Sequence, residues 1–257
     1  MPRTDYSQVF QNTTAVERYE DVQYAADSQS SAVNRRQRRY IRALVSSSFG
    51  GQKPTQHDFA CGTGRAVELL RNLVADAHGY DVSAQMIERA EANGYPAHWH
   101  VVDATGPVPK PEPTTGPSIV TIFRLLLNVP DEVRERAIAF AAEALPTPES
   151  GLLVVQNHGN TRSLRHLSAR KHANNPWYSE LSDARVYEIF AQHGFTLVER
   201  KGCAIFPRGW YRPKLTKPIV RRLDTLLCKA RIFDRYAVDV LYVARRSASL
   251  ATPAAEG

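Results

Sequence analysis

A short β-prone run ends in Asp58-Phe59-Ala60-Cys61-Gly62-Thr63-Gly64-Arg65, and this octapeptide restricts the chain to folds in which a strand turns into a helix beside a ligand. Ala60, Gly62 and Gly64 carry too little side chain to hold a ligand off the main chain, and glycine tolerates the positive φ of a tight turn. Ala66, Val67, Leu69 and Leu70 follow at helical spacing, which points the amides of a helix N-terminus at the same place. Such a cradle suits a nucleotide-like cofactor. On turn chemistry alone the loop is equally a plain turn before a helix.

Spacing separates the nucleotide readings. A dinucleotide fingerprint needs Gly or Ala three residues after its second glycine, and counting from Gly62 and Gly64 that position is Val67. A P-loop needs G-x-x-x-x-G-K-[ST], which the octapeptide does not match. Nicotinamide, flavin and ATP-hydrolysis readings are therefore disfavoured.

The octapeptide resembles the first motif of class I S-adenosylmethionine (SAM) dependent methyltransferases, and later segments agree in order. Gly79-Tyr80-Asp81-Val82-Ser83-Ala84-Gln85-Met86-Ile87 resembles the second strand of that family, whose terminal acid accepts from the ribose hydroxyls; here it is Asp81. His100-Val101-Val102-Asp103-Ala104 resembles the third-strand segment, where Asp103 takes the place of the acid that meets the adenine amino group. Ile119 to Leu127 and Leu152 to Gln156 resemble the fourth and fifth strands, separated by an amphipathic helix from Asp131 to Ala144. The resemblance implies an α/β, Rossmann-like sheet of seven mostly parallel strands with helices on both faces. It also implies cofactor contacts at Asp58, Ala60, Gly62, Gly64, Asp81, Val82, Met86, Asp103, Ala104 and Phe123, with SAM as cofactor and S-adenosylhomocysteine (SAH) as product. Read singly, Asp81 is also a fair helix cap and Asp103 a fair turn residue. The presumed first strand, Thr55-Gln56-His57-Asp58-Phe59, is unusually polar for one buried on both faces.

In an open α/β sheet the ligand lies beyond the carboxyl ends of the strands, which gathers Phe123 to Asn128 and Asn157-His158-Gly159-Asn160 around the acceptor. After the fourth strand many small-molecule methyltransferases carry a His, whereas this chain has Asn128, which cannot act as a base. A hydroxyl acceptor is barely ionised near neutral pH, so a base must come from elsewhere, and His158, directly after the fifth strand, is the candidate. The alternative for His158 is a ring satisfied by a loop carbonyl. His166 and His172 follow, but the acidic cluster that magnesium needs is missing, so a divalent metal is unsupported.

Asn128, Asn157, Asn160 and Arg162 supply donors, and Trp177, Tyr178, Trp210 and Tyr211 supply flat surfaces. This pairing suits a sugar, which has one apolar face and an edge of hydroxyls, and it also suits an RNA base. The segments 124–128 and 157–163 are similar to bacterial, including mycobacterial, methyltransferases of polysaccharide pathways. The resemblance implies O-methylation of a sugar, oligosaccharide or polysaccharide precursor, with a natural product, a lipid-linked acceptor or RNA as alternatives and a non-catalytic SAM-binding module as a further one. Asn128-Val129-Pro130 lacks the Asn/Asp-Pro-Pro-aromatic motif of nucleic-acid N-methyltransferases, which makes nucleic acid an unfavoured partner.

With 257 residues, 43% of them hydrophobic, the chain builds one substantial core, read as a single domain over 1–246 with a disordered tail over 247–257. No apolar stretch reaches the ~18 residues of a membrane span, no signal-peptide run opens the sequence, and Cys61, Cys203 and Cys228 form no even-numbered framework, so a cytoplasmic monomer or homodimer is expected. The net charge is +7, concentrated at Arg35 to Arg39 and in ten basic residues from Lys201 to Arg235 against only Asp224 and Asp234. Residues 1–50 read as helical, with Val33, Tyr40, Ile41, Leu44 and Val45 forming a stripe. The family resemblance implies that such a segment acts as a lid over the cofactor, with Tyr19 and Tyr24 as candidates, and plain packing is the favoured alternative for both. The insertion 202–236, between the expected strands Thr196 to Lys201 and Val238 to Arg245, continues as a helix. Leu215, Ile219, Leu223, Leu226, Leu227 and Ala230 lie on one face and a basic side opposes them. A substrate lid and a dimer contact come first among its roles, a membrane surface third.

Overall fold

The computed structural model describes residues 29–127, 129–169, 181–213 and 215–248. Seven strands form one sheet: β1 (Thr55–Phe59), β2 (Asp76–Asp81), β3 (His98–Val101), β4 (Ser118–Phe123), β5 (Gly151–Asn157), β6 (Phe195–Ala204) and β7 (Asp239–Arg246). Their order is β3-β2-β1-β4-β5-β7-β6, all parallel except β7, which runs antiparallel between β5 and β6. The chain starts in the middle at β1, steps outward to β3, then returns to build the other half from β4. A crevice therefore opens at the carboxyl ends of β1 and β4, where the strand order reverses.

Helices cover both faces. On one, α1 (Gln29–Ser48) and α2 (Arg65–Leu70) bury Ile41, Val45, Leu69 and Leu70 against Ile119, Leu152, Val154, Leu241 and Val243. On the other, α4 (Asp131–Ala144) and α6 (Asp183–Gln192) bury Ile138, Phe140, Val186 and Phe190 against Val120, Ile122, Val155 and Tyr242. The short helices α3 (Ala84–Ala92) and α5 (Leu164–Ala169) follow β2 and β5, and α7 (Lys217–Ala230) lies in the β6–β7 insertion. The expected helix over Asp131 to Ala144 matches α4 at both ends, Asp131 and Glu132 standing in its first turn where they favour the helix dipole. The fourth strand is shorter than expected. It stops at Phe123 because Arg124 turns to φ 61°, a conformation no strand continues. In α1 the buried stripe is Ala32, Val33, Gln37, Ile41 and Val45, with Tyr40 and Leu44 half-buried beside it.

The polar first strand is buried because its side chains are paired across the sheet. Gln56 Nε2 donates to Thr121 Oγ1 (3.1 Å), which donates in turn to Asp58 Oδ1 (2.6 Å). On the opposite face His57 Nδ1 lies 3.3 Å from the Tyr80 hydroxyl, and its ring stacks on His78 and meets Phe140 edge-on. Burial, reinforced by the positive potential of His78, pushes the His57 imidazole down to about 4. The unfolded chain then binds the proton more readily between about pH 6.5 and 4, so stability falls as pH drops through that window, by up to roughly 3 kcal/mol. His57→Phe should flatten this acid limb in denaturant titrations. An unchanged limb would assign it to other groups.

One difference concerns the orientation of the helix in the insertion. Most of the apolar stripe of α7 faces outward, although Leu227 packs on the core, and the side that docks buries Val220, Asp224 and Cys228 while Arg222 and Lys229 stay exposed. Asp224 anchors it: Oδ1 accepts from the amides of Ile205 (2.7 Å) and Phe206 (3.2 Å), while Oδ2 accepts from Arg36 of α1 (2.6 Å) and from the Tyr211 hydroxyl. The expectations for Tyr19, Tyr24, Asn128, His172, Trp177, Tyr178 and most of the tail lie outside the described residues. Asp224→Asn keeps the side chain's shape but strips the charge opposite Arg36. Leaving a buried guanidinium uncompensated costs about 3 kcal/mol, and a lowered denaturant midpoint at unchanged m-value checks it.

Candidate active site

Asp81 ends β2 at the crevice, where its carboxylate closes the loop after β1. Oδ2 accepts from the Gly62 amide (2.8 Å) and Oδ1 from the Ser83 amide (2.9 Å). Burial raises its carboxyl, and the amides of Ser83, Gly62 and Val82 oppose that rise. Ser83 caps α3, accepting from the Met86 amide (3.3 Å), so Met86 is buried under the same turn, whereas Val82 is exposed beside it.

The three bare positions of the loop differ in what they face. A Cβ on Gly62 would meet nothing within 4 Å, so its face is open to a ligand, and its φ of +55° admits little but glycine. A Cβ on Gly64 would instead sit 2.7 Å from the Trp99 ring, and one on Gly79 2.4 Å from the same ring. Gly64 is thus bare to admit Trp99 of β3, a packing partner that no local feature of the sequence announces. Ala60 adopts φ 58°, the region glycine prefers.

Asp58 lies beneath the loop with Oδ1 held by Thr121 and Oδ2 buried without a partner. Burial pushes its carboxyl up to about 7, with Asp81 adding to the rise and Thr121 and Arg65 opposing it. Asp103 is exposed and directed at its own turn: Oδ1 accepts from the Thr105 amide (2.8 Å) and hydroxyl (3.1 Å), which holds the carboxyl below its usual range. Ala104 is exposed next to it.

Behind Gly62 runs a closed polar ring missing from the sequence-based expectations. Arg65 donates to Gln156 Oε1 (3.0 Å) and to Gln37 Oε1; the amides of Gln37 and Gln156 then donate to the two oxygens of Asp239 (2.7 and 2.8 Å). The Arg65 guanidinium also lies 5.7 Å over the Phe123 ring. One ring therefore fastens α1, α2, β5 and β7 at the carboxyl edge of the sheet. The available signal was Gln37, a polar residue at four-residue spacing within the stripe Val33, Ile41, Val45. Arg65→Ala strands two buried amide oxygens, which costs about 2 kcal/mol, measurable as a lowered melting temperature.

Beyond the end of β5, His158 has Nδ1 buried and unpartnered. Burial, then the charges of Arg124, Arg165 and Arg65, press its imidazole well below the usual histidine range, so it is neutral at physiological pH. Asn157 is buried, its amide donating to Gly159 O (2.6 Å), and Oδ1 has no partner. Asn160 is fully buried in the loop, donating to Arg235 O (3.2 Å) and accepting from the Arg162 amide (3.0 Å), whereas the Arg162 side chain is exposed. Trp210 is exposed and stacked on Phe206, 5.0 Å between centroids. Tyr211 is turned inward with its hydroxyl committed to Asp224, so it offers no flat surface to an acceptor. Among the described residues no group of three or more His, Cys, Asp or Glu is placed to hold a metal ion, and no helix is long and apolar enough to cross a membrane.

Residues 33–200 match the family model of a methyltransferase domain. No curated protein matches the chain. Among solved structures, magnesium protoporphyrin IX methyltransferase from Synechocystis PCC 6803 with bound SAH is 14% identical at a TM-score of 0.61, covering 94% of this chain and 98% of its own. A TehB-like SAM-dependent methyltransferase from Corynebacterium glutamicum is 15% identical at a TM-score of 0.56, covering 92% and 100%. Both share the fold described above.

Proposed function

We infer the chemistry from one premise, that this chain belongs to the methyltransferase-domain family: it is a SAM-dependent methyltransferase that methylates a hydroxyl of a sugar, oligosaccharide or polysaccharide precursor. The observation that carries the cofactor half is the junction of Asp81 with the open face of Gly62. Asp81 would receive the ribose hydroxyls, Gly62 would let the cofactor lie on bare main chain, and Asp58 Oδ2, a buried acceptor lacking a donor, would receive the ammonium of the amino-acid moiety. When bound, SAM supplies an electrophilic methyl on a sulfonium, and the protein's task is to align a nucleophile with it and exclude water.

His158 supports the acceptor half. Neutral among three arginines, it has a lone pair that would take the proton of an acceptor hydroxyl aligned with the cofactor's methyl group. Asn157 Oδ1, another buried acceptor without a donor, suits a second hydroxyl of a polyol. Incubation with methyl-labelled SAM and fractionated cell extract is the test, and label is expected in a neutral saccharide fraction at a rate indifferent to salt. Label in RNA with a steep salt dependence, or cofactor binding with no labelled product in any fraction, would overturn the reading.

A further inference from the structure

The insertion between β6 and β7 presents to solvent what a helix normally buries. Ile219, Leu223 and Leu226 of α7, at spacings of four and three, are 60%, 47% and 60% exposed; Leu215 before the helix is 91% exposed, and Ile232 and Phe233 after it continue the patch. The orientation is fixed from behind, since Asp224 is bonded to two amides, to Arg36 and to Tyr211 on the opposite side of the same helix. Charge is sorted as strictly. The only two acids between Ile205 and Val238 are Asp224 and Asp234, and both are buried. Exposed Arg222 and Lys229, seven residues apart, edge the apolar stripe, and exposed Arg212 and Arg235 flank its ends, whereas Arg231 is paired with Glu199 (2.6 Å). An outward apolar stripe bordered by cations, with every acid of the segment withdrawn, complements a surface that is apolar beneath and anionic above.

We propose that α7 and its flanking turns dock this protein onto an anionic lipid surface, with Leu215, Ile219, Leu223 and Leu226 entering the headgroup boundary and Arg222 and Lys229 meeting lipid phosphates. The docking stands apart from the reading of the active site, although the insertion joins the sheet where Ala204 faces Asp239 and Val240 faces Asn157, at the same carboxyl edge as His158. A docked surface therefore lies on the acceptor side of the domain.

Flotation of the full chain with phosphatidylglycerol/phosphatidylcholine vesicles, against phosphatidylcholine alone, tests the proposal. Binding is expected to the anionic vesicles, to weaken with salt, and to fall roughly fivefold for each of Arg222→Gln and Lys229→Gln. Leu223→Glu with Leu226→Glu should abolish it while the thermal transition stays in place, since both side chains are outside the core. No flotation at low salt overturns the proposal. So does a concentration-dependent dimer that the Leu→Glu pair dissociates while vesicle binding persists, because the stripe is then covered by a second copy. RNA that competes with vesicles and whose own binding survives the Leu→Glu pair would likewise assign the cations to nucleic acid.

Discussion

Asp81→Ala is expected to raise the dissociation constant for SAM roughly a thousandfold in a protein that still folds. A carboxylate receiving two ribose hydroxyls contributes about 1.5 to 3 kcal/mol per charge-assisted bond, about 4 kcal/mol together, which is close to three decades in affinity. Asp81 also holds the amides of Gly62 and Ser83 (2.8 and 2.9 Å), so its loss unfastens both the bare-backbone loop and the cap of α3. Asp81→Asn should fall between wild type and Ala, because an amide oxygen still accepts but its NH2 confronts an amide N–H. Calorimetric titration gives the constant directly. Thermal shift gives an independent reading, since a ligand that binds only the native state raises the melting temperature of wild type and not of the variant. Wild-type affinity in Asp81→Ala would remove the acid from the cofactor site.

How much of this site the sequence disclosed depended on the range of each interaction. Asp58, Gly62 and Asp81 could be offered as candidates because strand ends, small residues and turn spacing are local, and the seven-stranded, mostly parallel sheet followed from the family resemblance. The role of Gly64 did not. Its missing side chain makes room for Trp99, 35 positions away, and only the pairing of β2 with β3 brings the two together. The ring of Arg65, Gln37, Gln156 and Asp239 draws on four elements, and its members look ordinary one by one. Polarity misled in β1: Gln56, His57 and Asp58 argued against burial, yet each has a partner on β4 or β2, and only Gln56 Oε1 and Asp58 Oδ2 of their polar atoms stay buried without one. In α7 the apolar face was legible but not the direction it points. That was decided by Asp224, whose partners Arg36, Ile205 and Phe206 come from outside the helix.

His158→Gln carries the other large expectation, a fall in turnover of about a thousandfold with SAM affinity nearly unchanged. Glutamine can accept a hydrogen bond from the acceptor hydroxyl but cannot carry its proton away, so positioning survives and proton removal does not. Free imidazole should restore part of the rate to His158→Ala, which a merely structural histidine would not permit. The pH profile adds a further check. A base works only when deprotonated, and because burial and the charges of Arg124, Arg165 and Arg65 hold His158 well below histidine's usual range, the acid limb of turnover should lie below that range too. Removing one of those charges with Arg165→Gln should move the limb toward higher pH, since less positive potential then opposes protonation. A limb that stays fixed in Arg165→Gln, or turnover unchanged in His158→Gln, would transfer the proton to another acceptor.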